Sequence, residues 1–144
     1  MLGYADSNVP ESAPGAARLI DVPFDEQVSL IVGHIRRLRP DVIVGYDAFG
    51  IYGHPDHIHA NRLACAAADA AALPVYQPEL GEPWQTSSLY FVTLPQTTVD
   101  ELSPHLSSTS SHLPVSGAAP EELSLQLYLG PLLGDKIRAI TSHR

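Results

Sequence analysis

Cysteine is nearly absent. Cys65 stands alone in 144 residues, so no internal disulfide can form, and a reducing, cytoplasmic setting is the expectation. Positive charge is scarce as well: sixteen acidic residues face eight lysines and arginines, for a formal charge of -8. That field repels phosphate backbones and anionic lipid, so neither nucleic acid nor a membrane is an expected partner. No apolar run approaches the length of a membrane span, and MLGYADSNVPES has neither the basic nor the apolar region of a signal peptide. There is no internal repeat and no glycine-rich dinucleotide fingerprint, which leaves a nucleotide cofactor without support. What is present, 44% hydrophobic and 17% charged residues, is the composition of one globular domain over 1–144.

Residues 1–22 read as loop, punctuated by Pro10 and Pro14. PFDEQVSLIVGHIRRLRP then sets Val28, Ile31, Val32, Ile35 and Leu38 at helical spacing. Acidic residues occupy its first turn, arginines its last, and Pro40 follows, which predicts a helix over 25–38. Arg36, Arg37 and Arg39 form the basic cluster of the chain, and their place predicts that they complement the dipole of their own helix. His34 reads as a surface or packed helix residue. DVIVGYD, 41–47, is short, β-branched and bounded by Pro40, as a buried strand of a parallel sheet is. From HPDH to Leu73 a second helix is predicted, alanine-rich enough to lie close against a sheet, with Cys65 as a small buried residue in it. LPVYQP and SSLYFVTL are strand candidates. Residues 107–121 are Ser-, Pro- and Gly-rich and read as a mobile segment, followed by a last helix over 121–143. The order helix, strand, loop, helix, strand predicts an α/β, Rossmann-like fold with a mainly parallel sheet and flanking helices.

The chemistry gathers in YGHPDHIHA, residues 52–60. In open α/β sheets ligands bind beyond the carboxyl ends of the strands, and this segment follows such a strand. Pro55 suits the first helical position, which makes His54 the N-cap and puts Asp56 and His57 in the first turn. The positive end of a helix disfavours a protonated imidazole, and neutral imidazole is the form that binds zinc. Asp56 is near enough to hold one imidazole in a chosen tautomer. The spacing alone is weak, because seven histidines produce an H-x-x-H pair by chance in about a third of such chains. A polar helix entry with exposed histidines satisfies the same pattern.

A resemblance separates these readings. DVIVGYDAFGIYGHPDHIHANRLACAAADAA resembles the second conserved block of the LmbE/PIG-L family, zinc-dependent de-N-acetylases of N-acetylglucosaminyl conjugates. LGYADSNV is similar to the family's segment ending in Asp-Ser-Gly-Met, with Asn8 in place of the glycine, and KIRAITSHR resembles its K-x-x-A-x-x-x-H-R stretch. The resemblance implies that His57 is a zinc ligand. It implies that His54 stabilises the tetrahedral intermediate and protonates the departing amine, that Asp56 orients His54, and that Tyr52 approaches the substrate carbonyl. Asp6 would touch the substrate's hydroxyl groups, the partner being a small N-acetylated amino-sugar conjugate. His59 is expected to turn away from the site. The family's first block, Ala-His-Pro-Asp-Asp-Glu, which supplies two further zinc ligands and a general base, has no match here. The expectation is therefore a partial domain, truncated at its N-terminus, with an incomplete zinc site and a tendency to self-associate. It is either a deacetylase that needs the missing block from elsewhere, or an inactive remnant or binding module of the same fold.

Overall fold

The computed structural model describes residues 2–106, 115 and 117–142. Its centre is a pair of helices. Helix α1, Phe24–Leu38, is amphipathic, opens with Asp25 and Glu26, and stops where Arg39 turns left-handed (φ 49°) just before Pro40. Strand β1, Val42–Tyr46, follows at once. A tight turn, α2 (Gly50–Gly53), leads into helix α3, Pro55–Ala72. The apolar stripe of α1 (Val28, Val32, Ile35) meets Leu63, Ala67, Ala70 and Ala71 of α3, with Ile43, Tyr76, Leu80 and Trp84 packed around them. A buried aliphatic side chain contributes about 1.5–3 kcal/mol, and the alanines let the two helices approach closely enough to bury them.

Strand β2, Ser88–Val92, pairs parallel with β1, from Val42 opposite Ser88 to Tyr46 opposite Val92. Helix α3 crosses one face of this pair, and a Cβ placed on Gly45 would lie 3.6 Å from that of Ala64. On the other face Val42, Val44, Tyr90 and Val92 are exposed, Val44 to 63%. A second parallel pair joins β3, Leu94–Pro95, to β4, Gly117–Ala118, around helix α4, Gln96–Leu106. The class is α/β with parallel pairing, as the sequence predicts, arranged as two separate two-stranded sheets among the described residues. Among them no helix is long and apolar enough to cross a membrane.

Several expectations change. LPVYQP is not a strand: Pro74 and Pro78 remove two ladder donors, Gln77 is left-handed (φ 35°), and Pro78–Leu80 forms a 3-10 turn. The final helix shrinks to α5, Leu133–Thr141, because Pro120 and Pro131 each open a separate 3-10 turn. Helix α4 was not foreseen. Its β-branched start, QTTV, and the internal Pro104 hide a helical pattern whose Val99 is buried. Cys65 is half-buried rather than buried. Arg36 serves not its own helix but α3: the buried guanidinium donates to the carbonyls of Ala70, Ala71 and Leu73 at that helix's end, and to Gln77 beyond it. Arg37 contacts His34, and Arg39 lies over the Trp84 ring. Within 107–121, residues 107–114 and 116 lie outside the described residues, as do His143 and Arg144 of the terminal motif.

Candidate active site

The site forms where β1 ends and α3 begins. The Asp47 carboxylate closes the intervening turn, accepting from the N–H groups of Phe49 (3.1 Å) and Ile51 (2.9 Å). Gly50 has φ +64°, and a Cβ there would stand 2.8 Å from the Cβ of His57 and 2.9 Å from the nitrogen of Ile58. Only glycine fits. Ile51 also has positive φ (64°, ψ -54°), an unfavourable place for a β-branched residue, so the turn that carries Tyr52 is strained. Asn61 ties α3 to the strand end by donating to the Tyr46 carbonyl at 2.7 Å.

His54 is the N-cap of α3, with Pro55 at the first helical position, as the sequence predicts. Its Nδ1 accepts the backbone N–H of Asp56 at 3.2 Å. A nitrogen that accepts carries no proton, so in this neutral ring the proton sits on Nε2. His57 is the reverse. Its Nδ1 lies 3.1 Å from the Gly50 carbonyl, which can only accept, so Nδ1 bears a proton, and in the neutral imidazole Nε2 is the nitrogen with the lone pair. The two rings lie 4.8 Å apart between centroids. Tyr46 stacks flat on His57, 3.8 Å away and 4° from parallel. Tyr52 stands edge-on to both imidazoles, at 5.9 Å from His54 and 5.1 Å from His57. Burial, with Tyr46 and Asp6 adding to it, raises the Tyr52 phenol above its ordinary value and keeps it an O–H donor.

The carboxylates come from two directions. Asp6 Oδ1 lies 3.6 Å from His54 Nε2. Asp56, the residue expected to orient His54, does so with its backbone N–H; its carboxylate is held by the N–H (2.9 Å) and hydroxyl of Ser7. Asn8 is not among the positive-φ residues, so its replacement of a glycine strains nothing here. His59 turns away and bonds Gln27, whose Oε1 is 2.6 Å from the His59 Nε2, beside the edge of Phe24. Tyr52, His54, Asp56, His57 and Asp6 thus meet in one place. Ser7, Tyr46, Asp47 and Gly50 are parts of the same site that the sequence reading did not single out. Tyr46 and Asp47 were legible in principle, as the last residues before the loop.

Donor atoms of Asp6, His54 and Asp56 lie within 4.8 Å of one another, the spacing of a metal-ligand group. Each of these side chains also accepts a hydrogen bond from within the protein. Both Asp56 oxygens are engaged by Ser7, and the His54 nitrogen facing Asp6 bears a proton. His57 Nε2 is the imidazole nitrogen in ligating form. A catalytic zinc ordinarily takes three protein ligands, and the group of three that comes together here, Asp6, His54 and Asp56, does not include His57.

Two imidazoles thus stand at the carboxyl end of a strand in a parallel sheet, and comparison with known proteins gives the lineage of the chain. No family model matches the chain. It is 33% identical over 148 aligned positions to the 1D-myo-inositol 2-acetamido-2-deoxy-alpha-D-glucopyranoside deacetylase of Rhodococcus erythropolis, covering 97% of this chain and 50% of that protein. Deacetylases of the same name from Streptomyces scabiei and Streptomyces avermitilis are 47% and 46% identical over 68% and 54% of this chain, and 31% and 26% of their own lengths. The chain thus spans half or less of the length of these relatives. Among solved structures, the conserved protein TT1542 from Thermus thermophilus is 37% identical over 51% of this chain and 31% of that one, with a TM-score of 0.43. Over the stretch it shares with these deacetylases, the chain is homologous to proteins of the LmbE/PIG-L family.

Proposed function

We propose that this chain carries the imidazole half of a zinc-dependent de-N-acetylase site, acting on a small N-acetylglucosaminyl conjugate of the kind its relatives are named for. The observation that carries the reading is the pair of imidazoles fixed in opposite tautomers 4.8 Å apart. One ring offers an N–H, the other a lone pair. That division suits an amide hydrolase, where a proton donor must stand beside a metal ligand.

The roles follow from the bonds. His57 is the residue that would hold the metal, and its remaining ligands must come from outside the described residues. His54 Nε2–H is set to donate to the oxygen that gains charge when the amide carbonyl is attacked. Protonating the departing amine is a separate demand. It would require Nδ1 to take up a proton and release the Asp56 N–H, which the helix end opposes. The Tyr52 hydroxyl, kept protonated, can donate to the same oxygen. Asp6 can accept from a sugar hydroxyl, or hold the positive charge of a released amine. Asp56 fixes the register of His54 through its backbone.

The alternative, an inactive remnant or binding module, draws on the single imidazole in ligating form. Acetate release from the N-acetylglucosaminyl-inositol substrate decides between them, measured with zinc on the 144-residue chain alone and on the chain supplemented with the unmatched part of the Rhodococcus erythropolis relative. The expected result is no turnover alone and turnover when supplemented. Silence in both favours the remnant, and turnover by the chain alone overturns the incomplete-site reading.

A further inference from the structure

Two aspartates face the imidazole pair, and the structure holds them in different ways. Asp56 receives both the N–H and the hydroxyl of Ser7, a residue 49 positions away in sequence and buried to all but 6% of its surface. Two donors from one residue thus engage both of its oxygens. Asp6 is locked by its own turn. Its N–H donates to Ser12 Oγ (2.8 Å), and its Oδ1 accepts from Asn8 (2.8 Å) and Val9 (3.0 Å). The turn as a unit is therefore stiff, and its distance from α3 is set where Ser7 attaches it. The neighbouring bridge between Ala5 and Arg18 ties the start of the segment to residues 17–19, and the adjoining turn Leu19–Asp21 itself meets α3, so what Ser7 fixes is the tip of the turn that carries Asp6.

We propose that Ser7 is a positioning residue of this site: by engaging the Asp56 carboxylate it draws the 5–9 turn onto α3, so that Asp6, and not Asp56, is the carboxylate facing the proton-bearing nitrogen of His54. The inference rests on the reading of His54 as the N–H donor, and it gives the two aspartates separate tasks. Asp56 is the anchor. Asp6 is the charge that the N–H sees. A Ser7 that merely stapled a loop would leave the surroundings of His54 indifferent to how the staple is made.

The test is nuclear magnetic resonance on the 144-residue chain without metal or substrate. The readouts are the Overhauser contact between the Asp6 β protons and the His54 ring, and the nitrogen shifts of that ring. Ser7→Ala removes the hydroxyl but keeps the backbone N–H, so the contact is expected to weaken and the His54 Nε2 signal to move, while cross-peaks among Val32, Leu63 and Ala67 stay in place. Ser7→Thr, which keeps both donors, should restore the contact. Asp56→Asn keeps the backbone N–H to His54 but weakens the acceptor, and should release Asp6 as Ser7→Ala does, with no added effect in the double variant. If Ser7→Ala does not fold, Ser7→Thr and Asp56→Asn decide the matter alone. An Asp6–His54 contact of undiminished strength in both Ser7→Ala and Asp56→Asn overturns the proposal. None of these readouts needs turnover, so a failed deacetylase assay and a failed Ser7 assignment are separate results.

Discussion

His54 and His57 sit three residues apart on the same helical turn and differ by where one proton resides. That difference can be read by metal titration. Zinc binding is expected to weaken sharply in His57→Ala and to persist in His54→Gln, measured by calorimetry; the opposite order would assign the metal to the Asp6–His54–Asp56 group. In a reconstituted deacetylase, His54→Gln should lower kcat by about 10²–10³, the cost of one donor to a developing oxyanion. Gly50→Ala is a sharper probe. With φ at +64° and Cβ contacts of 2.8 and 2.9 Å, it should destabilise the chain by about 2–3 kcal/mol in urea unfolding and displace the His57 ring. His59 supplies the pH dependence. Burial holds its imidazole below the ordinary 6.5, Arg62 adds to this and Asp56 opposes it. The unfolded chain therefore takes up the proton first, so the contribution of His59 is present above 6.5 and is lost as pH falls through that value toward the lower folded one. Unfolding free energy should decline with acidification, and His59→Gln should flatten the decline.

At the scale of elements, the end of α3 depends on a residue from α1. Arg36 bonds the carbonyls of Ala70, Ala71, Leu73 and Gln77. Arg36→Met keeps the aliphatic stem but leaves those acceptors without the guanidinium, and should cost about 3 kcal/mol, read from the urea midpoint. This cap was invisible in the sequence, because it joins residues 34 to 41 positions apart. What was visible is local. The spacing of Val28, Val32 and Ile35, the stop at Pro40, and the His54–Pro55 entry each state their element within a few residues. LPVYQP misled because its apolar residues, Leu73, Val75 and Tyr76, are interrupted by Pro74 and followed by Pro78, neither of which can donate to a ladder. The site divides in the same way. Periodicity and helix entry located His54, Asp56 and His57; only the resemblance brought in Asp6, and nothing in the pattern linked Ser7 to Asp56.

Across the whole molecule the imbalance is between the two faces of the β1–β2 pair. One is covered by α3, whereas Val42, Val44, Tyr90 and Val92 leave the other apolar and open. The chain matches half or less of each of the deacetylases compared with it, so covering mass in a longer protein has room to exist. Alone, the chain is expected to associate with rising concentration. Val44→Thr combined with Val92→Thr should move sedimentation profiles toward the monomer, whereas an unchanged profile would locate the contact elsewhere.

The cap of α3 has a further consequence. The lone pair on His54 Nδ1 secures the first turn of the helix, and the same ring supplies the N–H at the reacting end. Folding and chemistry are thus drawn from a single five-membered ring. On the proposed role, a replacement that caps the helix with a short side chain keeps the aim of His57 and empties the site of its donor. Such a residue is pinned twice, and drift in this chain would be expected to reach every neighbour before it reaches His54.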